Sequence, residues 1–262
     1  MTRLFESTAL LLTVTLCMGC DSHASLGDDT PPPPPPPVTD QERDAIEVLQ
    51  QRGADIDLDE AGHVRIVELI KSQATDADLK LLSCFPCLEA CDITAGSITE
   101  AGLPHLKPLK GLQRLYLNDL PIGSDSMVNL ADMTKLDVLS LRNTQVDDKG
   151  LAHLKKLRQL TVLNLSKTAI TNKGLESLRG LQKLDTLVLA DTAVTGAGFA
   201  TLKALKNLRT LNMDRCENID GYLMDLSGLR ELRMLYVHGC TVSEDEVEEL
   251  TDDNPRLAVF GY

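Results

Sequence analysis

The leucines of this chain return every 24 residues, and that period constrains the fold more than any other feature. Units begin at Val64, Leu88, Leu112, Leu136, Leu160, Leu184, Leu208 and Leu232, each 24 after the last. A fixed period of this length specifies a solenoid, because one unit cannot bury its own apolar rows and must stack on its neighbours. The stretch 160–183, LTVLNLSKTAITNKGLESLRGLQK, shows the pattern most plainly, with apolar residues at Leu160, Leu163, Leu165, Ile170, Leu175, Leu178 and Leu181. The alternation Leu163-Asn164-Leu165 predicts a strand, whereas Leu175, Leu178 and Leu181 fall at helical spacing. Thr171 between them is a natural N-cap. The chain is therefore expected to stack eight parallel strands in order, centred near Val67, Cys91, Leu115, Leu139, Leu163, Leu187, Leu211 and Leu235. Positions 1 to 24 below count from the first residue of each unit.

The pattern LxxLxLxxTxITxxGLxxLxxLxx resembles the bacterial leucine-rich repeats, and its Gly-Leu helix start is similar to the cysteine-containing repeats of F-box adaptors. The resemblance covers residues 64 to about 262. It implies an α/β fold, a right-handed leucine-rich-repeat solenoid with a parallel concave sheet and short convex helices. It further implies binding of a protein partner through the concave face or its rims, with no cofactor. In the family a small polar residue at position 9 turns inward to satisfy backbone groups of the turn. Here that row reads Ser72, Gly96, Leu120, Thr144, Thr168, Thr192, Cys216 and Cys240, and Leu120 beside Pro121 is expected to distort it.

An aromatic content of 3 % without Trp suits a core of stacked leucines. A net charge of −13 argues against nucleic acid, since phosphate binding needs a basic footprint. Residues 1–20 look like an export signal: Arg3, an apolar run from Thr8 to Met18, then Gly19-Cys20. Gly19-Cys20 resembles the end of a bacterial lipobox, which implies lipidation at Cys20 and a membrane anchor in the cell envelope; plain secretion is the alternative. Residues 21–39 form a linker containing Pro31 to Pro37, which favours an extended left-handed helix and reads as a stalk.

Residues 40–63 read as an N-terminal cap for the open apolar end of the solenoid. Thr39 and Glu42 fit a capping box that opens a helix to about Arg52, and Asp55-Ile56-Asp57-Leu58-Asp59 alternates as a strand. Ser243 and Glu246 repeat the box. At the other end Leu257 lies 25 after Leu232, which places Phe260 and Tyr262 on inward sites that close the stack. Of the cysteines, Cys84, Cys87, Cys91, Cys216 and Cys240 lie in the repeats and read first as small hydrophobic thiols. A Cys84–Cys87 or Cys216–Cys240 disulfide remains open, and the spacing offers zinc no fourth ligand.

Positions 3, 5, 7 and 8 alternate away from the core, so the candidate binding residues are Arg114, Tyr116, Asn118, Arg142, Asn164, Asn212, Asp214, Tyr236 and His238. Tyr and Arg are the types enriched at interface hot spots. Val138, Val162 and Val188 give this face a small apolar centre. His238, with Asp214 and Tyr236 beside it, is the one histidine on the sheet, and no nucleophile or oxyanion site accompanies it. A binding module is thus preferred to a hydrolytic enzyme; a structural or inhibitory envelope protein is the rival, and a face made only for solubility is the bland alternative.

Overall fold

A computed structural model describes residues 37–262. The export signal with Cys20 and nearly all of the proline stretch lie outside the described residues. Helix α1 (Asp40–Gln51) and strand β1 (Asp55–Leu58) are followed by nine further strands: β2 (Val64–Glu68), β3 (Ala90–Asp92), β4 (Arg114–Tyr116), β5 (Val138–Ser140), β6 (Val162–Asn164), β7 (Thr186–Val188), β8 (Thr210–Asn212), β9 (Met234–Tyr236) and β10 (Ala258–Phe260). They form one ten-stranded sheet in sequence order. β1 pairs antiparallel with β2, and every later pair is parallel, with Cα partners 24 residues apart, as in Leu139 opposite Leu163. Among the described residues no helix is long and apolar enough to cross a membrane.

The period of the sequence is thus the translation of the sheet. Leu160, Leu163, Leu165, Ile170, Leu175, Leu178 and Leu181 are all at most 1 % exposed. Strand and convex arm together enclose one continuous leucine core. The convex arms differ from simple helices. The α-helical pieces are α2 (Asp148–His153), α3 (Asn172–Leu175), α4 (Phe199–Leu202) and, in the last unit, α5 (Glu244–Asp253), and the rest are 3₁₀ turns such as Asp76–Cys84 and Ser124–Asn129. A 3₁₀ turn rises about 2.0 Å per residue against about 1.5 Å for an α-helix, so it spans the return path with fewer residues.

Two backbone devices recur that leucine spacing does not announce. After each strand, position 8 adopts the left-handed conformation: φ is 53° at Lys71, 55° at Ala95, 57° at Asp119, 53° at Asn143, 56° at Lys167, Asp191 and Arg215, and 73° at Gly239. Most of these types pay a steric cost there, so the stacked turn rather than local preference sets the conformation. At the start of the convex arm, the position 13 side chain of one unit accepts the position 12 N–H of the next. Asp76 holds Thr99 N–H at 2.7 Å, Asp148 holds Thr171 N–H at 2.8 Å, Asn172 holds Thr195 N–H at 2.9 Å and Asp220 holds Ser243 N–H at 3.0 Å. This rung lies directly over position 15 of the next unit. A Cβ on Gly102 would stand 2.5 Å from Asp76 Oδ1, and one on Gly198 would stand 2.6 Å from Asn172 Oδ1. The Gly of the Gly-Leu helix start is therefore the space that the rung occupies. At Gly196 the position 13 side chain is missing, and the ring of Tyr222 lies against that glycine instead.

The caps follow the sequence with one twist. Thr39 accepts the Glu42 N–H at 3.1 Å and Ser243 accepts the Glu246 N–H at 3.2 Å at the start of α5 (Glu244–Asp253), as expected. Neither glutamate turns back to complete the box. Glu42 is buried against His63, with its oxygens 3.2 and 3.3 Å from Nδ1, and accepts Val64 N–H at 3.2 Å. Glu246 accepts Gly221 N–H at 2.7 Å and Leu223 N–H at 3.3 Å from the preceding unit. Backbone donors of the neighbouring unit outbid the cap because they are otherwise unsatisfied.

Position 9 does what the resemblance implies. Thr144, Thr168 and Thr192 donate to the carbonyls of Leu141, Leu165 and Leu189, at 2.7, 2.5 and 2.6 Å. Leu120 is buried in that row, and beside it Ile122 N–H closes a tight turn on the Leu120 carbonyl at 2.9 Å. The C-terminal expectation is corrected. Ala258 pairs with Met234 and Phe260 with Tyr236, so the 24-residue register continues and Leu257 does not reset it. A one-residue slip reverses every side chain. Val259, not Phe260, faces the core, and Phe260 and Tyr262 are exposed.

Candidate functional site

The concave face is built from positions 3 and 5 of the strands, which must point away from the core because positions 4 and 6 point into it. Across β2 to β10 the position 5 row reads Glu68, Asp92, Tyr116, Ser140, Asn164, Val188, Asn212, Tyr236 and Phe260. The row changes character along the sheet, from acidic through small to aromatic.

The centre is close-packed. Val138 and Thr186 are buried, and Val162 and Val188 half-buried, so this part is a shallow apolar floor. Two of the expected contact residues are buried in it: Asn118 is 6 % exposed and Asn164 4 %. Their work is structural. Position 7 backbone N–H groups sit at the end of each strand and need acceptors. Asn164 Oδ1 accepts Ser166 N–H at 3.0 Å, and Asn212 Oδ1 accepts Asp214 N–H at 2.8 Å. Where position 5 is not Asn or Asp, position 7 of the previous unit substitutes: Asn118 Oδ1 takes Arg142 N–H at 3.1 Å, and Asp214 Oδ1 takes His238 N–H at 2.8 Å. The expectation that Asn118 and Asn164 offer contacts on this face is corrected by their burial in this ladder; Asn212 and Asp214 serve the ladder and stay half-buried at the surface.

The residues that stay available lie at the two ends. Arg114 and Tyr116 are half-buried on β4. Burial pushes the Tyr116 phenol up, opposed by the nearby Arg114 guanidinium. Arg142 reaches Asp119 at 3.2 Å, and Asp119 also accepts from Asn143 Nδ2 at 2.7 Å. At the other end Tyr236 stacks on Phe260, with ring centroids 4.9 Å apart, and lies 6.4 Å from the His238 ring. His238 Nδ1 is 3.0 Å from Asp214 Oδ1, so the carboxylate orients the imidazole as expected. Phe260 and Tyr262 belong to this end and were not anticipated; counting 24 from Tyr236 lands on Phe260 and would have found it.

Along the rim, Arg215 grips Asp191 through two bonds, 2.5 Å from Nε and 2.6 Å from Nη2. These hydrogen bonds hold the Asp191 carboxyl below the usual carboxylate range, against the partial burial that raises it. Cys84, Cys87, Cys91, Cys216 and Cys240 are free thiols. Cys216 and Cys240, in the same row as the threonines, donate instead to the carbonyls of Leu189 and Met213 in the preceding unit, at 3.2 and 3.1 Å. Burial raises the thiols of Cys91, Cys216 and Cys240, which makes them poor nucleophiles.

A family model described as leucine-rich repeat matches residues 156–178. No curated protein sequence matches significantly. Among solved structures the chain is similar to internalin C2 of Listeria monocytogenes, with a TM-score of 0.62 and 20 % identity over 85 % of this chain and 93 % of that one. It is also similar to the leucine-rich-repeat ectodomain of the Arabidopsis receptor kinase HAESA in complex with an N-terminally extended IDA peptide hormone ligand, with a TM-score of 0.63, 16 % identity, and coverage of 84 % of this chain and 40 % of that chain. A leucine-rich-repeat protein of Leptospira interrogans aligns with a TM-score of 0.50 and 16 % identity, over 70 % of this chain and 56 % of that one. At these identities the likeness is one of fold, and together with the repeat match and the in-order sheet it makes the chain a leucine-rich-repeat solenoid.

Proposed function

We propose that this chain is an exported protein-binding module, tethered to a membrane through Cys20, that captures its partner on the concave sheet. The observation that carries this reading is the placement of Tyr116 and Arg142 near one end of the face and of Tyr236 and His238 near the other, with a shallow apolar floor between. Bulky side chains held on rigid strands lose little entropy on binding, which is what interface anchors require. From β4 to β9 is five strand spacings, about 24 Å, a span that fits a standard interface of about 800 Å² per partner. The Arabidopsis ectodomain of similar fold is in complex with a peptide hormone ligand. Mechanism on this reading is surface complementarity, without bond-making.

The test is capture from crosslinked cell envelopes by the full chain. One dominant partner is expected, and its recovery should fall at least about tenfold when Tyr116→Ala and Arg142→Ala are combined, a loss of about 1.4 kcal/mol. Changing His105 and His153 on the convex arms to Ala should leave recovery intact. Self-capture would instead favour a structural role, and loss through the convex pair alone would move the site off the sheet. For the anchor, Cys20→Ser should abolish uptake of labelled fatty acid and flotation with membranes; a soluble product that retains Met1 would contradict export.

A further inference from the structure

Resting on that reading of the concave face, we propose that the partner's contacting segment is cationic at one end, and that this end lies over β1 to β3 while its apolar end lies on Val138 and Val162. Cross-strand partners share a face, so the pairing of Asp55 with Glu68 and of Asp57 with Ile66 puts both β1 aspartates on the concave side. Asp92, opposite Glu68 on the next strand, completes a row of three carboxylates, and Asp57 adds a fourth on the same face in the adjoining row of Ile66 and Ala90.

Several carboxylates of the solenoid are matched across one unit: Asp119 by Arg142, Asp191 by Arg215, Glu89 by Arg65. The concave row is not matched in this way. Among the described residues none of Asp55, Asp57, Glu68 or Asp92 has an ion-pair partner. Charges on an edge strand are commonly explained as a guard against edge-to-edge pairing. That account covers Asp55 and Asp57 on β1, but not Glu68 and Asp92, which stand on β2 and β3 with a paired strand on either side. Like charges directly opposite one another destabilise a sheet. Glu68 carries the mark of this: partial burial, then Asp92 and Asp55, raise its carboxyl above the ordinary range. A cation laid over the row would relieve that repulsion. Two strand spacings further, roughly 10 Å, begins the apolar floor.

Charge also selects among possible occupants. The chain's own residues 21–39 contain Asp21, Asp28 and Asp29 and no Lys or Arg, and a second copy brings a net charge of −13. The fitting occupant is therefore a Lys- or Arg-bearing segment of a different protein.

The probe is a short fluorescent peptide with lysines at one end and valines at the other, titrated against the full chain by anisotropy. Its affinity should fall at least about tenfold in the Asp55→Asn, Glu68→Gln, Asp92→Asn triple variant, which keeps the oxygen that accepts Thr94 N–H. The same number of charges removed from α5, as Glu244→Gln, Glu248→Gln and Glu249→Gln, should leave it unchanged. Equal weakening by both sets would reveal mere bulk charge and overturn the proposal, as would failure of the peptide to bind. In the envelope capture, loss with the Tyr116 and Arg142 pair but not with the carboxylate triple would overturn this inference alone and leave the concave reading standing.

Discussion

At the scale of single residues, neighbours in sequence do different work for reasons that leucine counting reaches only in part. Leu163 is fully buried in the middle of the stack, so Leu163→Ala should cost about 2 to 5 kcal/mol in urea melts. Asn164, the next residue, reads from alternation as a solvent-facing contact whose loss would be neutral. Its Oδ1 in fact holds Ser166 N–H and, at 2.7 Å, the Ser166 hydroxyl, so Asn164→Ala leaves buried donors unpaired and should cost about 1 to 3 kcal/mol. A loss under about 0.5 kcal/mol would mean that water replaces the side chain there. Arg215 offers a test in pH. With the Asp191 carboxyl depressed in the folded state, the pair's contribution is present above the ordinary carboxylate range and is lost as pH falls through the depressed value. Because both side chains are partly exposed, that contribution is no more than about 1 kcal/mol. In Arg215→Ala the Asp191 resonance should titrate at higher pH, and an unmoved midpoint would show the grip to be absent in solution.

At the scale of elements, strand order, unit length and the apolar rows were legible because burial repeats with the chain's own period. Hydrogen bonds between units were not, since each joins residues about one period apart and nothing local signals them. Asp148 and Gly174 illustrate this: the aspartate reads as an ordinary first-turn acid and the glycine as a weak helix residue. Stacking makes them one joint, because Asp148 binds Thr171 N–H and hydroxyl while filling the space over Gly174. Gly→Ala within a helix ordinarily stabilises by about 0.5 to 1 kcal/mol. Here Gly174→Ala should destabilise, and the penalty should largely vanish in an Asp148→Ala background; additive melts would dissolve the joint. The C-terminal strand departs from expectation for a related reason: Leu257 lies one residue off the period, and the pairing keeps the period rather than the leucine. At the other end α1 is held by Glu42 on His63, a pair no spacing rule predicts, and the second shared bond runs to Val64 N–H. Removing one member of a buried pair costs about 3 to 5 kcal/mol. Glu42→Ala should therefore speed amide exchange in α1 and β1 while β6 stays protected, whereas uniform loss of protection would show the cap and the stack to be one cooperative unit.

At the scale of the whole molecule, the candidate site on the concave sheet was legible in its place and incompletely in its members. Tyr116, Arg142, Tyr236 and His238 stand where alternation puts them, while Phe260, Glu68 and Asp92 lie in the same 24-residue row, which the pairing register carries to both ends of the sheet. The rungs that tie one unit to the next carry a consequence of another kind. Each is a transverse fastening, and the series is interrupted where Gly196 offers no side chain and the Tyr222 ring rests against it. A stack whose units touch only their neighbours is, under load, a row of springs in series, and such a row yields at its least fastened joint. Pulled from Tyr262, the molecule should part first between the unit that starts at Leu184 and the one that starts at Leu208, releasing the last three strands together before the remainder stretches.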